Sequence, residues 1–121
     1  MEEFDFSGIN TLEELLEILS NSTDYNIPAI TKAYNTAVYY HKDSLRSSGE
    51  TYIKHVLSVA AYIARLQLDT NSIISALLHD VIEKAGADIS SIEKEFGIEV
   101  AFIVDGLSNI RKLSRNVNGD G

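Results

Sequence analysis

The sequence predicts an all-α domain of about six helices. Apolar residues recur at three- and four-residue steps through most of the chain. Alternating apolar and polar stretches are nearly absent, and the single proline and the glycines fall where the periodic stretches break. At 121 residues, 45% of them hydrophobic and 23% charged, the chain reads as one domain, residues 1–121, with one core.

The first helix is expected to begin after Thr11, whose hydroxyl can cap it, with Glu14 completing a capping box. Leu12, Leu15, Leu16 and Leu19 form its apolar stripe. Residues 21–26 are polar and read as a loop. Pro28 suits the first turn of a second helix, where a missing N–H costs nothing. Its stripe is Ile30, Ala33, Tyr34, Ala37 and Val38, and the last position on it is His41. Residues 42–50, KDSLRSSGE, read as a loop turning at Gly49. A third helix over 52–66 places His55 on a stripe with Tyr52, Val59, Ile63 and Leu66. Asp69 or Thr70 should cap a fourth, with Ile73, Ile74, Leu77, Leu78, Val81 and Ile82 inward, His79 and Asp80 inside it, and Gly86 ending it. Ser90 with Glu93 suggests a capping box for a short fifth helix stopped by Gly97. A sixth spans about 98–113, followed by a polar, fraying tail.

The balance of 18 acidic against 10 basic residues gives a formal charge of −8. A duplex binder normally carries a basic face, so DNA and RNA are poor partners. No apolar run is long enough to span a membrane. The start, MEEFDF, lacks a basic region followed by an apolar one, so a secretory signal is not expected and a cytoplasmic location fits. Without cysteine there are no disulfides or thiolate metal sites, and any metal must be held by His, Asp or Glu.

The three histidines, His41, His55 and His79, each fall on or beside the inward stripe of a helix. Taken alone, each reads as a core histidine bonded to a carbonyl. Three on converging stripes, one followed directly by Asp80, also fit a divalent-metal site. Spacing leaves both readings open. Glu83 lies one turn beyond His79 on nearly the same face and could orient an attacking water, or be an ordinary surface carboxylate. Lys84, four residues after Asp80, could pair with it, or simply favour a helix C-terminus. Lys42, Arg46 and Lys54 cluster around the glycine loop as phosphate or base contacts, unless that loop is merely solvated.

The segments AYNTAVYYHKDSLRSSGETYIKHVLSVA, ALLHDVIEK and FGIEVAFIVDGLSNIRKL resemble the hydrolase domain of RelA/SpoT-type enzymes and their small stand-alone relatives. The specific parts are R-x-SGE-x-Y-x-x-H, the 24-residue step from His55 to His79, the His-Asp dipeptide, and the later FG and VDG. The resemblance covers about residues 30–113. It implies an HD-type helical bundle that hydrolyses the 3′-pyrophosphate of (p)ppGpp with one Mn²⁺ ion. By position it implies metal ligands at His55, His79 and Asp80, and a water-activating acid at Glu83. It places Arg46 on the guanine, Ser47 and Lys42 in or near the nucleotide-facing loop, and His41 in a structural role. Two departures stand out. Lys84 occupies the place of the family's second acid, an exchange that typically costs about 10²–10⁴-fold in turnover. The family's fourth ligand, an Asp in a later motif like LADRLHN, has no counterpart before Gly121, and Asp105 matches a different position. The chain is therefore expected to be an N-terminal portion or shortened form of the family domain, with the oligomeric state left open. The alternatives are a degenerate HD domain that binds nucleotide or a protein without turnover, and an HD phosphohydrolase of another nucleotide.

Overall fold

The computed structural model describes residues 11–20, 22, 24–41, 51–82 and 86–117, with side chains through Ser108. Six helices carry this part: α1 (Leu12–Leu19), α2 (Ile27–His41), α3 (Tyr52–Arg65), α4 (Thr70–Leu78), α5 (Ile89–Phe96) and α6 (Ile98–Val117). The all-α bundle expected from the sequence is what forms.

Local chemistry sets most boundaries. Thr11 and Glu14 form the reciprocal capping box at α1. Asn26 accepts from the Ala29 amide and starts α2 one residue before Pro28. Thr51 caps α3 and Asp69 caps α4. Beyond Leu66 the chain turns through Gln67 at φ 62°, with the Gln67 amide bonded to Ala64 O and the Leu68 amide to Ile63 O. That is a Schellman ending with glutamine where glycine is usual.

Three expected helix boundaries are corrected. The fourth helix breaks after Leu78: His79 and Asp80 form a turn and helix resumes at Val81 and Ile82, so the His-Asp dipeptide interrupts the helical run instead of lying inside one unbroken helix. A hydrogen bond from the His79 ring to the Ala76 carbonyl at 2.6 Å competes there with helix continuation. The fifth helix is capped by Asp88, not Ser90, because the Asp88 carboxylate accepts from the Ser90 amide. The sixth continues to Val117 rather than ending near 113.

α4 lies at the centre, with Ile73, Ile74, Leu77 and Leu78 buried, and packs against α2, α3 and α6. The Asn26 amide donates to Thr70 Oγ1 and the Tyr25 hydroxyl to the Leu68 carbonyl. The starts of α2 and α4 are thus held together beside the end of α3. It follows that α3 runs opposite to α2 and α4, and the end of α2, the start of α3 and the end of α4 meet at the other pole. All three histidines sit there. On α3 the buried face is Val56, Leu57, Ala60, Ala61 and Ala64, not the stripe read through Leu66, which is 48% exposed. Three alanines carry little weight in a hydrophobic pattern, yet their small side chains let neighbouring helices approach closely. That shift of face leaves His55 half-buried at the edge of the core.

Candidate metal centre

α3 and α4 deliver their side chains to one spot. His55 stands one turn into α3, and His79 and Asp80 follow the last turn of α4. Asp80 Oδ2 lies 3.2 Å from His79 Nε2 and 3.9 Å from His55 Nε2. The imidazole centroids are 5.3 Å apart with planes at 64°. One donor atom from each of the three residues falls within 4.8 Å of the other two. Ligands bonded at about 2.0–2.2 Å to one ion lie at most about 4.4 Å apart. Both His–Asp separations satisfy that limit.

The donor chemistry fits as well. A carbonyl can only accept, so the 2.6 Å contact with Ala76 O puts the His79 proton on Nδ1. In the neutral ring Nε2 then carries a lone pair, and it faces a carboxylate oxygen. Two electron-rich atoms at that distance repel unless a cation or a proton lies between them. Fixing a histidine's second nitrogen on a carbonyl is also the usual way to orient a metal-binding ring. Asp80 is buried at 2% exposure, and a buried carboxylate needs compensating charge.

His41, at the end of α2, joins this pole but not the ligand set. Its ring stacks on Tyr52 of α3, with centroids 5.0 Å apart and planes at 17°. Burial holds its pKa below the ordinary imidazole value. The Asp80 carboxylate opposes that shift, and His79 adds to it. The sequence places both residues on inward stripes but does not show that their rings stack. The carbonyl bond expected of a core histidine is made by His79; that its acceptor is Ala76 O is not legible in residue type. Asp105, set aside on sequence, is exposed. Lys54 stands beside His55 on α3, half-buried. Lys42, Arg46, Ser47, Glu83 and Lys84 lie outside the described residues. A cleft of about 910 Å³ opens beside Asp24, Tyr25, Asn26, Arg65 and Asp69. It is at the opposite pole, about 15 Å along α3 from His55 at the helical rise.

A bundle of this kind with a His, His-Asp cluster between its helices defines a class of metal-site domains, and the comparisons agree. The HD-domain family model matches residues 33–120. The chain is 49% identical over 73 residues to a guanosine-3′,5′-bis(diphosphate) 3′-pyrophosphohydrolase of Haemophilus influenzae, covering 60% of this chain and 11% of that protein. It is 39% identical over 106 residues to the protein of the same name from Aquifex aeolicus, covering 88% and 15%. With the bifunctional (p)ppGpp synthase/hydrolase SpoT of Escherichia coli it shares 42% identity over 87 residues, covering 72% and 12%. The matched region thus spans only 11–15% of the length of these three relatives. The chain belongs to the HD-domain family, in its RelA/SpoT branch.

Proposed function

We propose that this chain is a metal-dependent phosphohydrolase domain acting on the 3′-diphosphate of (p)ppGpp. The observation that carries the reading is the convergence of His55, His79 and Asp80 in a chain 42% identical to SpoT over the matched region. In this reading the three residues hold one divalent ion, with Mn²⁺ as the favoured metal. When bound, such an ion neutralises phosphoryl charge and acidifies water. Glu83 accepts a proton from the attacking water as its oxygen adds to phosphorus. The bond to the 3′ oxygen breaks, that oxygen takes a proton from solvent to become the 3′-hydroxyl, and GDP or GTP and pyrophosphate leave. Arg46 stacks its planar guanidinium on the guanine, and Ser47 and Lys42 contact the nucleotide. The 121 residues act as one HD-type unit, and a cytoplasmic location accords with a nucleotide substrate.

One observation favours a second reading. Lys84 stands where the family's second acid would be, putting a cation beside the water-activating group. A domain built this way would bind nucleotide, or serve as an interaction module, without turning substrate over. The test is pyrophosphate release from ppGpp in Mn²⁺. The hydrolase reading expects slow release that rises about 10²-fold or more in Lys84→Asp and falls about 10²–10⁴-fold in Glu83→Gln. Tight ppGpp binding with no release from either the natural chain or Lys84→Asp would instead establish the binding module. Equal or faster release from other nucleotides would reassign the substrate.

A further inference from the structure

Among the described residues, two side chains bury polar atoms that have no hydrogen-bond partner: His41, at both ring nitrogens, and Ser75. His41 is the heavier case. An imidazole always carries at least one N–H, the residue is 1% exposed, and an unpaired buried donor is costly. The stack on Tyr52 accounts for the shape of the ring but not for its nitrogens, since a phenyl ring would stack as well. Its position gives the nitrogens a use. His41 ends α2, Tyr52 opens α3, and His55 follows Tyr52 by three residues, close to the same helix face. Asp80 and His79 are near enough to act on the charge of His41. The ring is nevertheless outside the set of donor atoms that lie within 4.8 Å of one another.

We propose that His41 is a positioning residue for the metal centre, donating a ring N–H to the Asp80 carboxylate when an ion is held by His55, His79 and Asp80. The proposal rests on the metal-binding part of the reading above, but not on its substrate. A ligating carboxylate held by an outer hydrogen bond keeps its oxygen aimed at the ion, and losing such a partner typically lowers metal affinity about 10- to 100-fold. The role also explains why a costly imidazole occupies a place that an apolar ring would fill.

The experiment compares Mn²⁺ titration calorimetry and metal-free melting for the natural chain, His41→Phe and His41→Gln. His41→Phe keeps a ring against Tyr52 and removes the donor. It should melt no lower than the natural chain without metal, yet bind Mn²⁺ about 10- to 100-fold more weakly. His41→Gln restores an N–H and should recover part of that affinity. If phenylalanine proves too large to fold, His41→Leu takes its place in the same comparison. Undiminished Mn²⁺ affinity in the donor-less variant overturns the proposal. So does equal weakening in both variants together with lowered metal-free melting, which marks a purely structural ring. A natural chain that takes up no Mn²⁺ refutes the metal reading itself, and the titration of that chain alone reveals it.

Discussion

Asp80 is where the competing demands on this protein meet. It is buried, its Oδ2 is 3.2 Å from a nitrogen whose proton the Ala76 carbonyl has drawn to the other side of the ring, and a second imidazole stands at 3.9 Å. An apolar core would not build this arrangement for stability, because a buried carboxylate without compensating charge is expensive. A bound cation turns the same arrangement into an attraction. Folding should therefore be linked to metal. At Mn²⁺ concentrations about 100 times Kd, stability should rise by about 2.7 kcal/mol, seen as an upward shift in Tm. Asp80→Asn removes the anionic ligand while keeping its shape, so it should abolish that shift and leave the helical circular dichroism unchanged. A shift that persists in Asp80→Asn would place the ion elsewhere.

Among the elements, α3 and α4 determine whether the histidines converge, and their shared junction offers two tests. Gln67 adopts a left-handed conformation that costs a non-glycine residue about 1–2 kcal/mol, partly offset by the greater freedom glycine has when unfolded. A Cβ-free residue suits that turn, so Gln67→Gly should stabilise the chain by up to about 1 kcal/mol in urea unfolding. Asp69 caps α4, and its hydrogen bonds with Ser72 hold its carboxyl below the ordinary carboxylate value of 3.8. A depressed folded-state pKa means that the cap contributes fully above the unfolded value and is lost as the pH falls through the folded one. Asp69→Ala should cost about 1 kcal/mol at neutral pH. That difference should shrink as the pH drops below about 4. A pH-independent difference would show that the carboxylate charge is not what caps the helix. Helix caps are the readable signals: Thr11 with Glu14 follows from side-chain chemistry alone, and Asp69 is one of two candidates beside Thr70. The end of α4 is not readable in this way, because a ring-to-carbonyl bond at His79 displaced it from the apolar pattern that runs on through Val81 and Ile82.

For the whole molecule, what matters is the direction of the helices. With α2 and α4 pinned at their starts and α3 running the other way, residues 41, 55, 79 and 80 arrive at one pole from three helices. No spacing rule could have supplied this. The step of 24 residues between His55 and His79 is compatible with many packings, and only the antiparallel pairing of α3 with α4 brings the two together. The stripe read on α3 pointed to a neighbouring face, since Ala60, Ala61 and Ala64 bury more completely than the larger residues beside them. His55 is placed at the core's edge as a result, where it keeps partial exposure to solvent. Whether His55, His79 and Asp80 hold one metal ion is decided by anomalous diffraction from crystals grown with Mn²⁺. A single strong peak is expected in contact with the Nε2 atoms of both histidines and a carboxylate oxygen of Asp80. The absence of a peak there, or a peak bound by other residues while these three remain clear of it, would contradict the shared site.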